Sequence, residues 1–357
     1  MTLLQTEINF DPVKALLSWY GTARRELPWR AKPHERPDPY HVWLSEVMLQ
    51  QTMVATVMPR YIKFLERWPD IEALARVPLD DVLHEWQGLG YYARARNLHR
   101  CAQVVVAEHG GVFPDNEAAL LKLPGIGDYT AAAIVAIAFN QPSAPVDGNI
   151  IRVISRLDGL KQIMPAGKSI VKDRVQVLMP IDHSGDFTQA MMDLGSMVCS
   201  PRNPDCDQCP WASGCVACAS GSPESYPKKQ QKKQKPTRYG IVFWLTDNRD
   251  HVLLRRREKK GLLGGMMEFP STPWREQHWA QSEAMSHAPV EGVSWHAHSG
   301  SVRHTFTHFH LELTVVRGSF DGMSNAIWSL PADFGDYALP TLMKKVAKLI
   351  EDFRANL

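Results

Sequence analysis

Four cysteines, Cys199, Cys206, Cys209 and Cys215, fall at the spacing C-x6-C-x2-C-x5-C. Thiolates this dense in an intracellular chain usually hold a metal. All four come from one short loop, so the site needs no distant ligand. The spacing is neither that of a zinc finger nor that of the common ferredoxins. A [4Fe–4S] cube and a single zinc both satisfy it, and disulfides are the weaker reading in a reducing compartment. Two cysteines are left over. Cys101 reads as a small buried hydrophobe. Cys218 lies close enough to the loop to be a spare ligand but is expected to be a bystander.

The 357 residues allow two domains, each with its own core. No apolar run reaches membrane-spanning length. The N-terminus, MTLLQTEINFDPVK, lacks a basic-then-apolar signal pattern, so a cytoplasmic setting is expected. Charge divides unevenly. Residues 1–222 carry 21 Lys+Arg against 24 Asp+Glu, and residues 223–357 carry 19 against 14. Bulk charge therefore does not argue for a nucleic-acid partner of the first part, and such a partner must rest on local sites.

Apolar periodicity predicts helices over Pro39–Arg67, Asn97–His109 and Glu117–Phe139. Residues 223–237 (PESYPKKQQKKQKPT) hold five Lys, three Pro and one acid, and read as a solvated linker that could also touch phosphates. Beyond it, 239–245, 251–255 and 305–316 are rich in β-branched and aromatic residues and predict strands, with a closing helix over Leu339–Phe353. The expected division is thus a mainly helical region 1–222, a linker 223–237 and a small α+β domain 238–357.

Four further motifs carry chemistry. In Leu123-Pro-Gly125-Ile-Gly127-Asp-Tyr129-Thr130, two glycines allow a tight turn, and the helix that follows offers free N–H groups to an anion. Val146-Asp147-Gly148-Asn149 follows that helix, so Asp147 can return to the same cleft. By itself Asp-Gly is an ordinary turn. In Trp43-Leu-Ser-Glu46-Val-Met-Leu-Gln-Gln51-Thr, a helix carries Glu46 among apolar neighbours, where its pKa should rise toward that of a neutral-pH proton donor. Periodicity alone equally allows a carboxylate that reaches water. Gly88-Leu-Gly-Tyr91-Tyr-Ala-Arg94-Ala-Arg-Asn97 mixes rings that could wedge into a base stack with arginines that could neutralise phosphates. It could also be a loop that caps the core.

In this order, SEVMLQQT, LGYYARARN, LPGIGDYTA, VDGN and the four-cysteine loop resemble the MutY adenine DNA glycosylases of the helix-hairpin-helix, endonuclease III-like superfamily. The match runs from about Trp19 to Cys215, and the second domain resembles the family's MutT-like (Nudix-like) domain. The resemblance implies a six-helix barrel with a helix-hairpin-helix, beside a [4Fe–4S] domain that the N-terminal helix joins. The cluster, held by Cys199, Cys206, Cys209 and Cys215, should be structural and DNA-contacting. The implied partner is double-stranded DNA with adenine opposite 8-oxoguanine or guanine, met by a monomer that works alongside other repair proteins in the nucleoid.

The resemblance also assigns roles. Glu46 protonates adenine N7. Asp147 stabilises the sugar cation, and Tyr129 and Asn149 orient the site. Gln51 and Tyr91 enter the duplex, and Leu123, Gly125 and Gly127 form the phosphate-gripping hairpin; Arg94 is a candidate DNA contact from the composition of its loop alone. Lyase relatives carry a catalytic Lys where this chain has Tyr129, which cannot form a Schiff base, so a monofunctional enzyme that leaves an abasic site is expected. Phe306-Thr307-His308 matches a Phe-Ser-His segment that reads 8-oxoguanine, with Thr in place of Ser. Trp274–His287 lacks the Arg-Glu-x-x-Glu-Glu arrangement of a Nudix hydrolase, so this domain should read rather than hydrolyse. The rivals are a thymine or uracil mismatch glycosylase, a non-catalytic DNA-binding protein with a zinc-like module, and a nucleotide-pool hydrolase.

Overall fold

A computed structural model of the chain describes residues 10–230, 234–258, 260–322 and 326–354. It divides into one unit spanning Met1–Arg76 and Asn97–Gln231 and a second spanning Val77–Arg96 and Lys232–Leu357. The expected linker is only partly free. Lys228 accepts a backbone hydrogen bond from Met164 in the first unit, and Pro236 accepts one from His310 in the second. Lys232 and Lys233 lie outside the described residues. No helix among the described residues is long and apolar enough to cross a membrane.

The first unit is helical: α1 (Pro12–Ala23), α2 (Pro39–Leu49), α3 (Val54–Arg67), most of α4 (Ala93–His109), α5 (Asp128–Phe139), α6 (Gly148–Leu157), α7 (Lys168–Leu178) and α8 (Ser184–Asp193). Helices α2 and α5 pack on one another, and both are apolar around almost their whole circumference, as buried helices must be. The N-terminal helix joins the later ones: Leu16 and Tyr20 share a core with Ile150, Val171, Phe187 and Trp211. Trp211, inside the cysteine loop, donates its indole N–H to Pro12 O at 2.7 Å. Cys101 is buried, as its composition suggests, and burial pushes its thiol up to about 12.

Two predicted helices are broken. Pro39–Arg67 stops at Leu49 and restarts at Val54, and Glu117–Phe139 stops at Leu120 and restarts at Asp128. At the first break Gln51 takes φ 56°, a left-handed conformation that no α-helix continues through. At the second, Gly125 takes φ 78°, and a Cβ there would lie 2.6 Å from Asn97 Cβ. Glycine is required at this point both for its dihedral and for the close approach.

In the second unit, β1 (Thr237–Thr246), β2 (Val252–Arg256), β3 (Met267–Glu268), β4 (His296–Thr305), β5 (His310–Ser319) and β6 (Ile327–Ser329) form a mixed sheet. The order is β3-β2-β1-β5-β4, with β6 also paired to β2 and with β1 and β5 parallel. Alternation along β1 sends Val242 and Trp244 into one core and Ile241 and Phe243 into another, so this central strand is apolar on both faces. Helix α9 (Thr341–Arg354) covers one face through Leu342, Met343, Val346 and Ile350. The segment Val77–Arg96 is tied into this unit. Gln87 donates to Tyr337 O and accepts from Lys344 Nζ at 2.6 Å, and Arg256 meets the Asp80 carboxylate at 2.8 and 2.9 Å.

One strand assignment is corrected. The run 305–316 is interrupted at 306–309, where Phe306 N–H donates to Phe309 O and closes a tight turn between β4 and β5. Phe306 and His308 therefore do not share the strand face of His310 and Glu312.

Candidate active site

Helix α2 opens on Pro39, with Asp38 Oδ1 accepting the Tyr40 N–H at 2.8 Å, and every residue from Val42 to Met48 is buried. Glu46 is carried inside by that packing and is only 6 % exposed. Burial pushes its carboxyl up to about 7, with Asp147 adding to the rise. A hydrogen bond from the Tyr129 hydroxyl and the charge of Arg30 pull the other way. Glu46, Tyr129, Asp147 and Asn149 line one cleft of about 860 Å³ together with Gln51, Gly125 and Gly127.

Asp147 caps α6. Its carboxylate accepts the Ile150 N–H at 2.7 Å and the Asn149 amide at 3.1 Å. Burial raises its pKa, against these hydrogen bonds and the charge of Arg152. Both carboxyls are thus shifted upward, Glu46 to about 7. Asn149 accepts in turn from Arg152 Nη2 at 2.9 Å, and Arg152 Nε donates to Cys199 O at 2.7 Å. A continuous chain of hydrogen bonds therefore runs from the Asp147 carboxylate to the first cysteine of the loop.

The hairpin splits its residues by burial. Leu123 and Ile126 are buried anchors, while Gly125 and Gly127 are exposed. Helix α5 follows Gly127, which has no side chain to cap its first N–H groups. The exposed carboxylate of Asp128 stands in the same first turn. Gln51 is exposed beyond the end of α2 rather than on it.

In the second unit Tyr92 is buried and Tyr91 is 48 % exposed at φ 47°. The loop's two tyrosines thus divide between core and surface. The Tyr91 hydroxyl lies 2.8 Å from the Thr307 hydroxyl. Arg94 folds back onto its own loop, donating to Leu89 O at 2.8 Å and Gly90 O at 3.2 Å over the Trp86 ring. Phe306 stacks on Trp274, with ring centres 5.7 Å apart, and His308 is exposed. Within Trp274–His287 the regular α-helix is the single turn Gln281–Ala284, whose Glu283 is paired with Arg275.

Sequence reasoning missed a second set. Behind Glu46 a narrower pocket is lined by Trp29, Arg30, Ile137, Gln189 and Met192. Asp193, fully buried, is gripped by Arg30 at 2.6 and 2.8 Å and by Arg25 Nε at 2.6 Å. These guanidiniums hold the Asp193 carboxyl below its usual range although burial alone would raise it. An aspartate inside the apolar run AMMDLGSMV was the available signal, since a buried charge must be paired.

The four loop cysteines line one small cavity with Arg156, Pro204 and Cys218. Arg156 Nη1 donates to Cys199 Sγ at 3.2 Å, the Trp211 N–H to Cys209 Sγ, and the Ala217 and Cys218 N–H groups to Cys215 Sγ. Burial pushes the Cys209 thiol up to about 12 and the Cys206 thiol up to about 11. The donors fit a thiolate-held group. Among the described residues no three His, Cys, Asp or Glu groups gather around a point that could hold a single metal ion.

Comparison with known proteins bears on each part. Residues 44–180 match the family described as HhH-GPD superfamily base excision DNA repair protein. Residues 199–215 match the iron-sulfur binding domain of endonuclease III, so the cysteine cage is an iron–sulfur site, and residues 241–349 match the NUDIX domain. The chain is 34% identical to the adenine DNA glycosylase of Rattus norvegicus, covering 95% of this chain and 78% of that protein. It is 31% identical to that of Buchnera aphidicola subsp. Acyrthosiphon pisum, covering 96% and 97%. The solved structure of a thermostable thymine-DNA glycosylase is 32% identical with a TM-score of 0.53, over 58% of this chain and 95% of that one. A trapped endonuclease III–DNA covalent intermediate, 23% identical with a TM-score of 0.50 over 58% and 94%, shares the fold. Helical hairpin unit, iron–sulfur loop and Nudix-like sheet thus occur together, in a chain whose relatives match it nearly end to end: it belongs to the adenine DNA glycosylase family.

Proposed function

We propose that the protein is a monofunctional glycosylase that removes adenine mispaired with 8-oxoguanine or guanine in duplex DNA and leaves an abasic site. The observation that carries this reading is Glu46, a buried carboxyl poised near neutrality, beside Tyr129 and Asp147 in one cleft. The target base leaves the stack to be reached and enters the pocket behind Glu46. Glu46 donates its proton to adenine N7, which makes the base a better leaving group. Asp147 faces the sugar and stabilises the positive charge that develops as the C1′–N9 bond breaks, in the manner of a glycosidase carboxylate. Glu46, now ionised, takes a proton from the attacking water. Tyr129 and Asn149 hold the two carboxylates in place. No lysine stands at position 129 to form a Schiff base.

The exposed backbone of Gly125 and Gly127 and the open end of α5 suit a phosphate. Gln51, held outside its helix, enters the duplex. Tyr91 and the Phe306–His308 turn read the base opposite adenine, with Phe306 and Arg94 bracing that surface rather than reaching from it. The lack of an acidic helix in Trp274–His287 supports a reader rather than a hydrolase. The proposed domains are a catalytic and cluster region 1–222, a linker 223–237 and a recognition domain 238–357. The match of the cysteine loop to the iron-sulfur binding domain of endonuclease III supports a [4Fe–4S] cluster over a single zinc, supplying structural rigidity and charge rather than catalysis.

The test is release of adenine from a duplex with one adenine opposite 8-oxoguanine, scored with and without alkali. Strand breaks that need alkali, lost in Glu46→Gln with DNA binding kept, are expected. Tight binding with no release would leave a non-catalytic DNA-binding protein, and cleavage without alkali would refute the monofunctional reading.

A further inference from the structure

Trp274 opens the segment that lacks a hydrolase's acidic helix, and its ring carries Phe306. The two rings are stacked, with centres 5.7 Å apart and planes inclined by 23°. Phe306 also meets His304 and Phe309, at 4.7 and 5.0 Å between ring centres, and its N–H closes the turn onto Phe309 O. The indole N–H of Trp274 is buried without a hydrogen-bond partner. Buried tryptophans usually find one, and Trp279 in the same segment gives its N–H to Pro273 O at 3.1 Å. Trp274 is therefore placed for its flat face, not for its polar edge.

That face is held in place. The next residue, Arg275, exchanges two backbone hydrogen bonds with Tyr239 on β1, at 2.7 and 3.2 Å. The indole packs so close to the strand that a Cβ on Gly240 would lie 2.9 Å from Trp274 Cδ1. The Arg257 guanidinium stands 5.0 Å from the ring centre and is itself paired with the buried carboxylate of Glu268.

We propose that Trp274 is a positioning residue for the recognition turn. By fixing the Phe306 ring it sets where Thr307 and His308 meet the base opposite adenine, and so sets the preference for 8-oxoguanine over guanine. The inference rests on the proposed reading of that turn.

The experiment measures single-turnover adenine excision by the full chain over a range of enzyme concentrations, with adenine opposite 8-oxoguanine and opposite guanine, and the denaturation midpoint of each protein. Trp274→Leu keeps apolar bulk but no flat ring, and Trp274→Phe keeps a ring. Val252→Ala opens the same core at the other end of the sheet, since Val252 pairs with Thr246 whereas His310, next to the turn, pairs with Thr237. Trp274→Leu should lose about three- to tenfold of the wild-type preference for 8-oxoguanine. The loss should appear in the half-saturating enzyme concentration, with excision opposite guanine kept. Trp274→Phe should retain the preference, and Val252→Ala should lower the midpoint and leave the preference intact. An unchanged preference in Trp274→Leu overturns the proposal, as does an equal loss on both duplexes or an insoluble protein. A Trp274→Phe as poor as Trp274→Leu, or a matching loss of preference in Val252→Ala, overturns it too. A wild type that treats the two duplexes alike would instead overturn the reading of the turn, and the proposal with it.

Discussion

The hydroxyls of Tyr91 and Thr307 lie 2.8 Å apart, although 216 residues separate them in the chain. The bond ties an exposed tyrosine held in a left-handed conformation to the turn between β4 and β5. Either hydroxyl can donate, so the pair can hand one acceptor and one donor to a base edge. The methyl that distinguishes Thr307 from serine does not prevent the contact.

Tyr91→Phe and Thr307→Val, made singly and together, should show a coupling of about 0.5–1.5 kcal/mol in affinity for a duplex with 8-oxoguanine opposite adenine. Thr307→Ser should behave as wild type. Fluorescence anisotropy reads the cycle, and strictly additive losses would mean that the two hydroxyls act separately.

Glu46 should set the pH dependence of both rate and stability. The acid form is needed, so single-turnover excision should fall as pH rises above about 7. In the unfolded chain the same carboxyl loses its proton near its ordinary value, so between there and about 7 the folded state holds the extra proton. Stability from this group therefore declines across that window and stays reduced above it, by on the order of 3 kcal/mol. Glu46→Gln should raise the denaturation midpoint at pH 8 and hardly at all at pH 4. A midpoint unchanged at pH 8 would show that the carboxyl is not strained by burial.

Arg152 should act through Asn149 and Asp147 without touching DNA. Arg152→Met should slow single-turnover excision by about 10–100-fold, the usual cost of removing an orienting partner. Duplex affinity should change little. An equal loss of affinity would move Arg152 from positioning into the DNA contact.

Asp193→Asn leaves two guanidiniums beside a neutral buried amide. It should cost about 3–5 kcal/mol of stability, read by urea denaturation. A loss under 1 kcal/mol would mean that water reaches the pair.

Asp128 opposes phosphate at the open end of α5. Asp128→Asn should tighten non-specific duplex binding by about two- to fivefold in low salt, with the gain fading at high salt. Weaker binding would assign Asp128 a positive role in the hairpin.

Much of this molecule is written locally. Cysteine spacing identifies the metal loop, because one short segment supplies every ligand. The Gly125 turn, the uncapped start of α5 and the apolar surroundings of Glu46 are legible, because each depends on residues within a turn or two of helix. Local patterns misjudged Gln51 and Phe306. Leu49 and Met53 keep helical spacing across 50–52, and β propensity continues through 306–309, but the chain turns at both places.

Tertiary structure alone decided the rest. Nothing near Asp193 in sequence announces Arg25 and Arg30, 168 and 163 residues away. Nothing in VDGN announces that Asn149 reaches Cys199 through Arg152. Periodicity records which way a side chain points from its own backbone. It does not record what arrives from elsewhere to meet it. The acidity of Glu46 belongs to both levels: the sequence places it among apolar neighbours, while the helices packed over α2 exclude water and determine how far its pKa rises.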